Sequence, residues 1–107
     1  MEKQDYYFVL NNDFLNWRWF HNPKIVSVFL FLLVEASPCK TFFEEREIKR
    51  GSLVTKNRVI ADVCGLTMQN VRTALANLEK TGEITREVTN RYQIITINNY
   101  ESYRLDS

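Results

Sequence analysis

Six polar side chains, Gln69, Asn70, Arg72, Thr73, Asn77 and Lys80, crowd the stretch from Thr67 to Gly82, TMQNVRTALANLEKTG. Amide and guanidinium groups make paired hydrogen bonds to base edges in a DNA major groove, and lysine offers a point charge to phosphate. Spacing decides whether they can act together. At about 100° per residue, Thr67, Val71, Ala74, Leu75 and Leu78 form one apolar stripe, and Gln69, Thr73, Ala76 and Lys80 lie opposite it, flanked by Asn70, Arg72 and Asn77. An amphipathic helix with a polar outer face is therefore expected. Any solvated helix face in an αα-hairpin has the same pattern, so the flanking chain must discriminate.

Before this stretch, Thr55 to Cys64 is a second, shorter helical pattern, with Thr55 as the expected N-cap and Val59, Ile60 and Val63 as its buried side. Gly65 suits the left-handed position after a helix C-terminus, and Thr67 is the expected N-cap of the next helix. Two helices across a tight Gly turn form a helix-turn-helix pattern, with Thr67 to Thr81 as the expected recognition helix. After Thr81-Gly82, Glu83 to Val88 and Arg91 to Asn98 are β-prone runs separated by Thr89-Asn90, and Glu47 to Val54 reads as a turn into a short strand, with Gly51 available for a positive φ. A small strand, two helices and a hairpin is the winged-helix order. Its wing tip would carry Thr89, Asn90 and Arg91, with Arg86 on the adjoining strand.

The charge distribution agrees with this placement. The chain has 107 residues and a net charge of +1, but residues 46 to 91 hold nine Lys and Arg against five Asp and Glu, leaving the remainder acidic. Lys56, Arg58, Arg86 and Arg91 are the expected phosphate contacts, Gln69, Asn70 and Thr73 the expected base readers, and Arg72 and Lys80 are shared between the two tasks. Arg72 could instead pair with Glu79 or Asp62. Glu83 and Glu87 on the same hairpin oppose a phosphate role for it, and the hairpin could equally serve only to complete the sheet.

Other chemistries find little support. There is no P-loop, no histidine paired with a nucleophile and no acidic cluster at metal-ligand spacing, so no enzyme, cofactor or metal is expected. Glu44 and Glu45, adjacent in a loop, read as a solvated charge pair. His21 has no ligand-spaced neighbour, and Cys39 and Cys64 are too few and too isolated for a disulfide framework or a zinc site. Free thiols, a charged N-terminus without a signal sequence, and an apolar run at Ile25 to Val34 well short of the ~20 residues of a membrane span all point to the cytoplasm.

The length predicts a single domain over residues 1 to 107 that buries roughly 60 to 65 % of its unfolded surface. Residues 1 to 22 are an aromatic extension with a short β-prone run at Tyr6 to Leu10, and half of the 14 aromatics fall in the first 20 residues. Core and subunit contact is the expected role of Phe14, Trp17, Trp19 and Phe20, ahead of base stacking. Asn22-Pro23 marks the start of a helix over 23 to 36 that Ser37-Pro38 ends. Its polar strip is only Lys24, Ser27 and Glu35, so nearly every side needs cover, from the aromatics or from a second copy; a homodimer is expected. Cys39 to Glu45 reads as a loop holding Phe42 and Phe43. The helix-turn-helix occupies 55 to 81 and the wing hairpin 83 to 98.

W-x-W-F at Trp17, N-P at Asn22, K-R-G-S-L-V-T at Lys49 to Thr55, V-R-T-A-L-x-x-L-E-K-T-G-E-I at Val71 to Ile84 and I-T-I-N-N-Y-x-x-Y at Ile95 to Tyr103 together resemble the N-terminal domain of phage replisome organisers and DnaD-like replication initiation proteins. The similarity covers nearly the whole chain. It implies an α+β winged helix-turn-helix with an added N-terminal strand or aromatic segment and a C-terminal β-hairpin wing. It also implies duplex DNA and replisome proteins as partners. Leu10-Asn11-Asn12 stands where such proteins often have a basic step, which removes one phosphate contact. Family members usually continue into a linker and a second domain, so helicase loading is not expected of these residues. A replisome assembly module and a transcription regulator on the same fold are the alternatives.

Overall fold

In a computed structural model, residues 7 to 105 are described. They form an α+β domain of three α-helices and two antiparallel sheets, in the order α1 (Pro23–Glu35), β1 (Thr41–Phe43), β2 (Arg46–Ile48), β3 (Ser52–Thr55), α2 (Asn57–Cys64), α3 (Met68–Lys80), β4 (Ile84–Val88) and β5 (Gln93–Ile97). Short 3-10 turns at Asn12–Asn16 and Tyr100–Tyr103 flank this set. β1 pairs with β2, and the other sheet has the order β3-β5-β4.

The helix starts follow the sequence closely. Asn22 caps α1, its Oδ1 accepting from Ile25 N at 3.2 Å, and Pro23 occupies the first turn, where no N–H is needed. Thr67 caps α3 in a reciprocal box: Thr67 Oγ1 accepts from Asn70 N at 3.0 Å and Asn70 Oδ1 from Thr67 N at 3.3 Å. Thr67 thus lies outside the apolar stripe, exposed at the helix start. Between α2 and α3, Gly65 takes φ 68°, the left-handed conformation in which a side chain would be strained.

Ile25, Val28, Phe29, Leu32 and Leu33 of α1 pack against Val71, Ala74, Leu75 and Leu78 of α3 and against Leu53, Ile84, Ile95 and Ile97 of the larger sheet. Each of these side chains larger than alanine contributes about 1.5 to 3 kcal/mol by leaving water. Further cover for α1 comes from the aromatic segments of the chain, although Val34 stays 64 % exposed. Trp17 sits 4.8 Å from the Phe29 ring, and Tyr103 meets Phe29 edge-on at 5.6 Å. The indole N–H of Trp17 donates to Glu83 Oε1 and that of Trp19 to Thr81 Oγ1, both at 3.1 Å, so the aromatic segment is bonded to the end of α3 and the start of β4. Gly51, at φ 84°, passes so close to Tyr100 that an added Cβ would meet it at 2.9 Å.

Several expectations are corrected. Thr55 ends β3, and Lys56 is the N-cap of α2, without a side-chain capping bond. α2 is rotated from its expected orientation: Ile60 and Ala61 are buried, whereas Val59 and Val63 are 44 % and 66 % exposed. Residues 39 to 45 are not a loop; 41 to 43 form β1, and Glu44-Glu45, at φ 48° and 68°, is the two-residue turn into β2. The second run of the wing hairpin begins at Gln93 and not at Arg91, which lies in the connection between β4 and β5, at the expected tip. The run at Tyr6 to Leu10 begins outside the described residues; within them it supplies only an isolated bridge from Phe8 to Arg104.

Candidate nucleic-acid interface

α3 presents the expected polar row to solvent. Gln69, Arg72, Thr73, Ala76 and Lys80 are exposed, opposite the buried Val71, Ala74, Leu75 and Leu78. Gln69 Nε2 donates to Thr73 Oγ1 at 3.3 Å one turn later, which orients both side chains along the helix. Arg72 forms neither alternative pair: Asp62 is 3.7 Å from Arg58, Glu79 is engaged by Arg86, and among the described residues no carboxylate lies within ion-pair distance of Arg72. Asn70 is half-buried and its Oδ1 is committed to the helix cap, leaving only its amide N–H groups for a ligand. Asn77 is half-buried beside the row, where its backbone carbonyl accepts from Thr81 Oγ1 at 3.1 Å.

At the start of α2, Lys56 is exposed and among the described residues has no ion-pair partner, while Arg58 reaches Asp62 one turn on across open solvent. Without a capping side chain, the first N–H groups of α2 have no side-chain acceptor. The buried Gln93 of β5 donates from Nε2 to Asn57 Oδ1, tying the β4–β5 hairpin to this helix start.

The hairpin cations are placed differently from expectation. Arg86 is only 19 % exposed and donates from both Nε (3.2 Å) and Nη2 (3.0 Å) to Glu79 Oε1. Arg91 is bonded to Glu44, and Arg46 of β2 reaches Glu87 of β4 at 2.6 Å, which raises the Arg46 pKa through that hydrogen bond. Phe43 packs edge-on against Tyr92 at 5.2 Å. The β1–β2 hairpin is thereby fastened to the β4–β5 hairpin by two ion pairs and a ring contact. Asn90, at the tip, is exposed. The sequence did not identify Glu44, Arg46, Glu87 and Tyr92 as partners. Their only sequence signal is the alternation in T-F-F and R-E-I on either side of Glu44-Glu45.

Nine of the eleven candidate side chains thus fall into two sets, Asn77 being half-buried beside the row and Asn90 exposed at the hairpin tip. Gln69, Arg72, Thr73 and Lys80 on α3 and Lys56 on α2 are exposed and free of ion pairs among the described residues; Arg58, Arg86 and Arg91 are engaged by carboxylates, and Asn70 by a cap. Met68–Lys80 contains a single carboxylate, Glu79, and it is the one that Arg86 covers. Among the described residues no three His, Cys, Asp or Glu are grouped so as to hold a metal ion, and no helix is long and apolar enough to cross a membrane. Cys39 and Cys64 are free thiols. A groove of 720 Å³ lies away from α3, among Phe31, Phe42, Phe43, Val54, Val59 and Val63. No protein-family model, curated protein or solved structure matches the chain.

Proposed function

We propose that this chain is a winged-helix module that binds duplex DNA, and that it serves replication initiation in the manner of the replisome organiser and DnaD-like domains it resembles. The observation that carries the reading is the outer face of α3, where Gln69, Arg72, Thr73 and Lys80 stand exposed and the only carboxylate of the helix is neutralised from β4. A face of this kind, about 1.5 Å per residue and three turns long, fits a major groove. The order β3, α2, α3, β4, β5 with the Gly65 turn supports the winged-helix assignment. In this reading α3 reads bases, Lys56 and the uncapped start of α2 hold phosphate, and the β4–β5 hairpin acts mainly as a brace. The compartment is the cytoplasm, where Cys39 and Cys64 stay reduced.

A second reading, a replisome assembly module with weak DNA contact, draws on the engagement of Arg86 and Arg91 by Glu79 and Glu44. A transcription regulator would use the same face as an initiator. The deciding experiment is fluorescence anisotropy of labelled duplex and single-stranded DNA across a salt series. The DNA reading predicts duplex binding whose affinity falls by about one log unit per log unit of salt for each phosphate contacted. Absence of binding at low salt would leave the assembly reading.

A further inference from the structure

The strand order β3-β5-β4 leaves β3 with one edge that no other strand of its sheet covers. One bond sets its register. Gly51 C=O accepts from Ile97 N at 2.9 Å, so Gly51 faces Ile97 as a bonded pair, and non-bonded and bonded pairs alternate from there. Leu53 and Thr55 therefore bond to β5, whereas Ser52 and Val54 turn their N–H and C=O groups outward. At Ser52 these groups are taken: its C=O accepts from Ser37 N at 2.8 Å and its N–H donates to Lys49 C=O at 3.1 Å. At Val54 they are open, since among the described residues no other backbone group bonds to it.

The open edge lies in the 720 Å³ groove. β3 runs along one side, and Phe31 of α1, Phe42 of β1 and Val59 and Val63 of α2 form its apolar walls. An outward N–H and C=O on one residue of such a groove are both satisfied by a partner that brings an acceptor and a donor at strand spacing, about 4.8 Å away. An extended polypeptide does this.

The two ends of the groove differ in charge. Glu35, the last residue of α1, is exposed and among the described residues has no ion-pair partner. It adds to the partial negative charge of the helix C-terminus, so this end attracts a cation. The bond from Ser37 to Ser52 sets it beside the start of β3. At the other end of β3 stand Lys56 and the uncapped first turn of α2, which attract an anion. Ser52 and Lys56 are four residue steps apart, about 13 Å of extended chain.

We infer that the open edge of β3 is a peptide-docking groove, in which an extended segment of a partner protein adds to the sheet as a fourth strand. Its backbone takes up the N–H and C=O of Val54, and apolar side chains at alternate positions meet the walls. A basic residue lies by Glu35 and an acidic one, about four positions away, by Lys56. The walls from α1, α2 and the β1–β2 hairpin favour a slender chain over the sheet edge of a second folded copy. The groove lies away from α3, so the inference stands independently of base readout; Lys56 is common to the two surfaces.

The test starts with a random peptide display library selected on the whole chain, followed by amide hydrogen exchange of the ¹⁵N-labelled chain with a synthetic peptide of the most enriched sequence. Enriched sequences are expected to alternate apolar residues between a basic and an acidic one, and the peptide to slow exchange at Val54 on the order of tenfold. Val54→Pro, tolerated where an edge N–H points outward, should weaken peptide binding about tenfold by removing one backbone hydrogen bond. Val63→Asp, at an exposed wall position, should weaken it while urea unfolding stays close to wild type. Glu35→Lys should shift the selection to peptides with an acidic residue at that end. Failure to enrich any peptide overturns the inference, as does a bound peptide that leaves Val54 exchange unchanged or binds Val63→Asp as well as the wild type. A concentration-dependent dimer in ultracentrifugation that Val63→Asp dissociates would overturn it too, and assign the groove to a second copy.

Discussion

Arg86 on β4 donates two hydrogen bonds to Glu79 of α3, so the only carboxylate of that helix is neutralised by the strand that follows it. The pair fixes the hairpin against the helix and removes negative charge from the face proposed to meet DNA. It also removes Arg86 from the set of free cations. Glu79→Gln should therefore release Arg86 and raise duplex affinity about fivefold, the roughly 1 kcal/mol of a partly exposed ion pair. Anisotropy at fixed salt measures this, and a fall in affinity would mean that Glu79 supports binding instead of restraining it.

Charge reversal should separate the cations by their present partners. Lys56→Glu and Arg72→Glu are expected to weaken binding to every sequence and to flatten the salt dependence by about one unit of slope each. Arg91→Glu should do less, because Glu44 already neutralises Arg91. Gln69→Ala should chiefly narrow the gap between a preferred site and random DNA. Equal loss on all sequences for Gln69→Ala would remove it from base readout.

Asn70 should behave as a structural residue. Asn70→Ala and Thr67→Ala each break half of the α3 capping box and are expected to cost about 1 kcal/mol in urea unfolding. An Asn70 variant of wild-type stability with lost sequence preference would assign the side chain to the bases instead.

How much of this could be read from the chain varies by element. α1 and α3 were legible because Asn22-Pro23, Thr67 and Gly65 act locally, on backbone groups within one turn of themselves, and because their apolar stripes are long. α2 is shorter, and Val59, Ile60 and Val63 offered a stripe as plausible as the one used; the rotation that buries Ile60 and Ala61 is set by packing against α1 and α3. The β1–β2 hairpin was missed because its turn is Glu44-Glu45, without the Gly or Asn that normally supplies positive φ. The partners of Arg46, Arg86 and Arg91 were not legible as a set, since Glu87 and Glu44 lie 41 and 47 residues away from theirs. The exposed row Gln69, Arg72, Thr73 and Lys80 followed from helical periodicity alone.

Tyr103 gives a pH dependence. Burial, and then the negative charge of Glu83, hold its phenol pKa above the ordinary value of 10.0. The fold thus favours the neutral phenol. Its contribution is fully present below about pH 10, where the unfolded phenol begins to ionise, and is lost as pH rises through the folded pKa. Thermal unfolding of wild type and Tyr103→Phe should therefore converge in slope below pH 9 and diverge above pH 10, the wild type losing stability faster. Parallel curves throughout would contradict this.

The central claim is that duplex DNA lies against the outer face of α3. Titration of a short duplex into the ¹⁵N-labelled chain, followed by amide chemical shifts, tests it most directly. The account predicts shifts centred on Gln69, Arg72, Thr73 and Lys80, extending to Lys56 and the first turn of α2. Shifts confined to the groove around Phe31, Phe42 and Val63, or none at all, would contradict it.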